Sequence, residues 1–322
     1  MLLRTATRAA LICSLTACGH DATQPDVTPI DVATAADVNV STDIASTDAS
    51  TVPDVTVDTM AADVPPMCPV GADAQAGETC VLNVHGSVRD LEGSPVGNQL
   101  VTVCGSECFF GRSDATGAFL VTPASLLPWG QYVVAIHGRP DHASSYVPLT
   151  MPMMGEVAYA SPLLVPRYTD TGGLIPDPAV GGSVTAGDVT LTVDAGTVLQ
   201  FDIEDAELGT LGHSLRSAFV PLASAPPFAS EGHATQVHAL APFDLVADRP
   251  MGVRVANRAG FAAGAAVDFV VMGVEFFMDP INAGHAVVAA TGHVSSDGTT
   301  VSTDAGQGIR VVTWLGIRLA GG

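Results

Sequence analysis

The sequence contains no lysine: all 12 basic residues are arginine, against 33 Asp and Glu, for a net charge of −21. That absence excludes several chemistries. A phosphate-binding P-loop needs a lysine at the phosphates. A Schiff-base lysine cannot hold pyridoxal phosphate or a carbonyl substrate. Lys–Asn isopeptide cross-links of the kind some surface adhesins carry cannot form. Lysine is the extreme case of a general scarcity, since charged residues make up only 14% of the chain and aromatic residues 5%. The acidic balance argues against nucleic acid as a partner, because its phosphates would be repelled. No His-x-x-Glu zinc motif and no Gly-x-Ser-x-Gly nucleophile elbow occurs.

What is present begins with a targeting segment. Arg4 and Arg8 form a positive start, and Ala9 to Leu15 a short apolar run. The run is well below the ~20 residues a membrane span needs. It ends in Leu15-Thr16-Ala17-Cys18, which resembles the lipobox of bacterial lipoproteins. The resemblance implies a signal peptide over 1–17 and lipidation of Cys18, whose thiolate takes a diacylglyceryl group and whose freed amine takes a further acyl chain. Several chains together give stable anchoring where one would be marginal. Gly19 follows in place of the Asp that retains enteric lipoproteins at the inner membrane, so the expected location is the cell envelope, at the outer membrane.

Residues 18–66 form a different polymer. His20 to Pro66 lacks aromatic residues and arginine, and its nine aspartates, from Asp21 to Asp63, recur about every five residues. Such a segment cannot bury enough apolar surface to offset its ordering entropy. A disordered, self-repelling tether is expected, averaging roughly 35–40 Å end to end. Its carboxylates are too widely spaced for a compact calcium loop, which places them two residues apart.

From Met67 onward the pattern is β, in short alternating runs separated by Gly, Pro, Asp and Ser. Val189, Leu191 and Val193 oppose Thr190 and Thr192. Leu199, Phe201 and Ile203 oppose Gln200, Asp202 and Glu204. Ile309, Val311, Leu315 and Ile317 oppose Arg310 and Arg318. Phe261 to Met278 is apolar, but Asp268 and Glu275 interrupt it and Val267, Phe269 and Val271 alternate, so buried strands are expected. The fold class is all-β.

Between Val84 and Gly138, His85-Gly86-Ser87-Val88-Arg89-Asp90 leads through Gly93 to Pro95-Val96. Val101-Thr102-Val103, Gly111-Arg112-Ser113-Asp114, Gly117-Ala118-Phe119, Leu127 to Tyr132 and the strand Val133 to Ile136 then follow. This order and spacing resembles the carboxypeptidase regulatory-like domain, a prealbumin-like β-sandwich. The resemblance implies a non-catalytic module over 67–166 that serves as a spacer or binding platform. The residues themselves predict a turn at Asp90 to Gly93 and a hairpin turn at Ser113 to Gly117 with Gly117 at positive φ. They also place Phe119, Tyr132 and Val134 in the core. Gly187 to Thr197 is similar to the strand–turn opening of extracellular β-sandwich modules, and 167–322 is expected to form a second β-sandwich-like domain.

Cys13 leaves with the signal peptide and Cys18 takes the lipid. Cys68, Cys80, Cys104 and Cys108 remain, an even set in an exported, oxidising setting. Two disulfides are expected, with Cys68–Cys80 and Cys104–Cys108 favoured among three pairings. The spacing is wrong for a four-cysteine zinc site. The histidine pairs His137/His142, His233/His238 and His285/His293 lack ligand spacing and read as solvated loop residues. Asp202, Glu204, Asp205 and Glu207 could form a calcium patch, but alternation favours a solvated strand face. No catalytic residue, metal or cofactor is expected. The leading expectation is therefore a non-enzymatic, lipid-anchored surface protein, bound to the membrane through Cys18 and offering its β-domains for structure, adhesion or a glycan or protein ligand. A carbohydrate-binding module would need an exposed aromatic platform drawn from Trp129, Trp314, Tyr146, Tyr159 and Tyr168. A hydrolase in the C-terminal half would rest on His213 or His233.

Overall fold

The computed structural model describes residues 68, 77–128, 130–149, 155–274 and 282–321. The signal segment 1–17, Cys18, the tether 18–66, Trp129 and the end of the Phe261–Met278 run lie outside the described residues. The described part belongs to one unit, Thr59–Gly322.

Its first half is built on the long strand β1 (Glu78–Arg89). Val81, Val84 and Val88 all reach the core, and an irregularity between Val81 and Asn83 shifts the alternation so that both parities can do so. There follow β2 (Leu100–Cys104), β3 (Cys108–Arg112), β4 (Ala118–Val121), β5 (Ser125–Pro128), β6 (Tyr132–His137), β7 (Ser145–Leu149), β8 (Gly155–Ala158) and β9 (Leu163–Leu164). β4 and β5 pair antiparallel with β1, and β8 and β9 pair parallel with it, while β3-β2-β6-β7 form a second, antiparallel sheet. The two sheets enclose one core that includes Phe119, Leu127, Tyr132, Val134 and Ile136. The turn at Asp90 to Gly93 forms as its residues predict, with the Gly93 amide donating to the Asp90 carbonyl at 3.2 Å. Gly117 has φ +79°, and a Cβ there would lie 2.4 Å from the Val88 carbonyl oxygen, so only glycine fits. The Ser113–Gly117 turn is not a hairpin within one sheet, however. It carries the chain from β3 in one sheet to β4 in the other.

The second half contains β10 (Gly173–Leu174), β11 (Gly182–Ala186), β12 (Val189–Val193), β13 (Leu199–Gln200), α1 (Ile203–Glu207), β14 (Ser214–Val220), α2 (Pro227–Glu231), β15 (Gln236–Ala241), β16 (Leu245–Ala256), β17 (Ala266–Met272), β18 (Ala286–Val294), β19 (Thr300–Thr303), β20 (Ile309–Val312) and β21 (Trp314–Leu319). The strands join in one sheet of order β10-β14-β15-β21-β17-β18-β19-β16-β12-β11, with β13 and β20 also on β16. This sheet curls nearly shut: β11 packs beside β14, and the Ser217 hydroxyl on β14 donates to the Ala186 carbonyl on β11 at 2.6 Å. Its opposed inner walls meet as in a sandwich, through Leu191, Leu215, Met251, Phe269 and Leu315. Hydrogen bonding that runs almost fully round leaves few open strand edges.

Two further sequence expectations about strands change. Leu199 to Glu204 is not one strand. It stops after Gln200, and Asp202 caps α1 by accepting the Glu204 amide at 2.9 Å, which leaves Ile203 exposed. Val311 does not share a face with Ile309, Leu315 and Ile317, but packs in a second cluster outside the barrel.

That second cluster joins the two halves. On β6, Tyr132, Val134 and Ile136 face the sandwich core, while Val133 and Ala135 pack with Phe228, Val237, Val270 and Trp314 of the barrel half. β6 is buried along both faces, as are β15 and most of β17. This is why these strands read as continuous apolar runs. The Trp314 indole N–H donates to the Ser144 carbonyl at 2.7 Å across the seam.

Candidate functional site

The densest gathering of charge lies at the same seam. His137 ends β6, and the chain turns through Gly138 to Arg139. The Arg139 side chain is 9% exposed and points at the start of α1, where the chain presents three carboxylates. Its guanidinium lies 3.4 Å from Asp202 and 3.1 Å from Asp205, and forms its closest ion pair with Glu204. A further N–H donates to the Phe243 carbonyl at 2.8 Å. The approach to Asp205 is close enough for an ion pair, and the fully buried Asp205 carboxylate has Arg139 as its charged neighbour. Next to it, the Tyr146 hydroxyl donates to the buried Asp244 carboxylate at 2.6 Å, and the Tyr146 ring meets Phe243 edge-on at 5.3 Å. Arg216 donates to the Pro140 carbonyl and lies over the Tyr168 ring, 4.7 Å from its centre.

Burial and charge pull these groups apart. Burial raises Asp205 to about 6, outweighing Arg139 beside it. Burial likewise raises Asp244 to about 7, against the hydrogen bond from Tyr146. Glu204 goes the other way: the hydrogen bond with His137, and then Arg139, hold it at about 2. Burial opposes the charge on Arg139, but Asp205, Asp202, Glu204 and Asp244 together outweigh it and raise its pKa.

An imidazole oriented by a carboxylate is half of an acid–base triad. His137 Nδ1 lies 2.9 Å from Glu204 Oε2, at the edge of a shallow cleft of about 220 Å³ that Asn98, Arg112 and Glu207 also line. The other ring nitrogen, Nε2, is buried and makes no hydrogen bond, so no hydroxyl or thiol stands where a nucleophile would. The arrangement works as a clasp in which one arginine from the sandwich side is gripped by the barrel side.

The chain matches no protein-family model and no curated protein.

The residues singled out from the sequence fall as follows. Cys18 lies outside the described residues. Disulfides join Cys68 to Cys80 and Cys104 to Cys108, the latter stapling the turn between β2 and β3, where the Ser106 hydroxyl lies 2.7 Å from the Tyr132 hydroxyl. Trp314, Tyr146 and Tyr168 are core side chains at 0%, 4% and 8% exposure, and Tyr159 is half-buried, so none of these four stands fully on the surface as a sugar platform would. His213 stacks on Phe201 at 4.2 Å, and His233 is exposed in a turn at φ +52°. Neither lines the cleft beside His137.

The histidines are not uniformly solvated loop residues. His238 is wholly buried on β15, where its Nε2 meets the Gln236 amide at 2.9 Å and burial lowers its pKa to about 4. His137, His285 and His293 pair with Glu204, Glu231 and Asp304. Asp202, Glu204 and Asp205 surround an arginine rather than forming a strand face. Among the described residues no group of three His, Cys, Asp or Glu converges as a metal site. Sequence reasoning missed Arg139 and Asp244, which stand in ordinary β-turn contexts with partners 65 and 98 residues away in the chain.

Proposed function

We propose that this chain is a non-enzymatic, lipid-anchored protein of the cell envelope, held to the outer membrane through Cys18 and displayed on the acidic 18–66 tether. Its folded part acts as a structural or ligand-binding β platform, consistent with the resemblance of the 84–138 segment to carboxypeptidase regulatory-like domains. The observation that carries the non-enzymatic reading is the clasp. Among the described residues, the cluster of His137, Arg139 and their carboxylates joins the two β halves, and it leaves His137 Nε2 buried without a nucleophile. Its ionisable groups pair with one another rather than with a hydroxyl or thiol. The lipobox residues Leu15 to Cys18 carry the anchoring part of the reading.

The test is cell fractionation of Cys18→Ala beside the parent chain. Release of the variant into the soluble fraction is the expected result, and unchanged membrane association would remove the anchor. A screen of ester, glycoside and peptide substrates should show no turnover above that of an Arg139→Ala, His137→Ala double variant. Turnover that the parent shows and this variant loses would replace the clasp with a catalytic site.

A further inference from the structure

An apolar pocket of about 400 Å³ opens where the two sheets of the sandwich part at their edges. Ser145 and Val147 of β7 form one wall, Tyr159 and Leu163 the other, and the segment Ala223 to Pro227 of the barrel half closes the end. The volume lies within the usual range for small-molecule sites. None of the residues lining it is charged. Burial raises the pKa of Tyr159, so its phenol stays neutral as well.

One lining group is out of keeping with its surroundings. Ser145 is 2% exposed, and its hydroxyl makes no hydrogen bond with the protein. Its neighbours on β7 explain the orientation: Val147 packs with the sandwich core, and Ser145, two residues earlier, projects from the same face of the strand. A buried hydroxyl without a partner is costly, and native structures rarely keep one. We propose that this pocket binds a neutral small molecule with an apolar body and one hydrogen-bonding group, which the Ser145 hydroxyl engages. A charged ligand would sit among apolar walls with no counter-ion, and an anion would also meet the field of a chain carrying −21. A purely apolar ligand would leave Ser145 unpartnered. This gives the ligand-binding part of the proposed function a site. Its failure would leave the membrane anchorage, which fractionation reads, untouched.

The probe is N-phenyl-1-naphthylamine, a neutral aryl amine whose fluorescence rises in apolar surroundings. The full chain carrying Cys18→Ala keeps acyl chains and detergent out of the titration. The expected result is a saturable rise that fits one site. Ser145→Ala, which removes the polar partner and little volume, should weaken binding by about 3–10-fold while the ligand-free melting temperature stays at or above the parent's. Ala223→Trp, on the exposed rim, should weaken it at least tenfold, again with unchanged melting. The anionic relative 1-anilinonaphthalene-8-sulfonate should bind at least tenfold more weakly than the neutral amine. A linear, non-saturating signal would overturn the proposal, as would saturable binding that Ser145→Ala and Ala223→Trp leave unchanged. Equal or tighter binding of the anionic probe would overturn the neutral-ligand assignment.

Discussion

Asp244 shows how far a single residue can be shaped by its surroundings. It is held at φ +65°, in the left-handed region that Asn and Asp tolerate best among residues with a side chain. Its carboxylate is buried against Tyr146, and burial raises its pKa to about 7. A carboxyl whose folded pKa is raised keeps a proton that the unfolded chain releases. Its contribution is fully present below about pH 4 and is lost as the pH rises through 7. Asp205 acts in the same sense through about 6, whereas Glu204, held at about 2, stabilises above the ordinary carboxylate range and loses its contribution only as the pH falls toward 2. Between pH 5 and 8 Glu204 is therefore silent and the two aspartates make stability fall as the pH rises, while His238, held at about 4 and neutral in the fold, opposes them up to the ordinary histidine range. Asp244→Asn keeps the backbone angle and an acceptor for Tyr146 but removes the titration. From pH 5 to pH 8 the variant's urea midpoint should therefore rise relative to the parent's, with the variant at least as stable as the parent at pH 8. A slope equal to the parent's would mean that Asp244 is ionised in the fold. Arg139→Ala should act in the opposite direction, costing ~3–5 kcal/mol near pH 7 because it strands buried carboxylates. Urea unfolding at that pH reads the loss.

Among the elements, β6 and β21 decide how the halves meet. Both carry apolar side chains on both faces, so each serves two cores. Trp314 on β21 is wholly buried, bonds the Ser144 carbonyl and meets Phe228 edge-on with ring centres 6.3 Å apart. Trp314→Ala should cost ~3–5 kcal/mol as a large buried aromatic is lost, read as a fall in the denaturant midpoint. Trp314→Phe keeps most of the packing but orphans the carbonyl and should cost ~1–3 kcal/mol. If the alanine variant were no worse than the phenylalanine one, the aromatic packing across the seam would count for little. α1 teaches a different lesson. Six residues of alternation, Leu199 to Glu204, are too few to separate a strand from the first turn of a helix. The Asp202 side chain, by taking the Glu204 amide, decides for the helix.

For the described molecule as a whole, the shared cluster predicts one cooperative unfolding event. Val133, Ala135 and Tyr146 from the sandwich pack with Phe243, Met272 and Trp314 from the barrel, so neither half keeps its burial if the other opens. Circular dichroism and tryptophan fluorescence should trace a single coincident urea transition. Two separated transitions would show that the seam is weak and that the halves fold as independent domains.

The sequence by itself determined the all-β class, strands such as those at 84–88, 101–103, 133–136 and 189–193, the turns at Asp90 and Gly117, and the core placement of Phe119 and Tyr132, and it favoured one cysteine pairing among three. These depend on neighbours in the chain, through side-chain alternation at period two, glycine's freedom at positive φ and short loops between cysteines. Only the tertiary structure decided that the sheet of the second half curls nearly shut, that β6 and β15 are covered on both sides, and that Arg139 meets Asp202, Glu204 and Asp205. Arg139 and Glu204 stand 65 residues apart, and Tyr146 and Asp244 98. Each is an unremarkable residue in its local sequence. What sets their ionisation is the water excluded when two sheets pack together, and a strand's own pattern carries no record of which surface will cover its outer face.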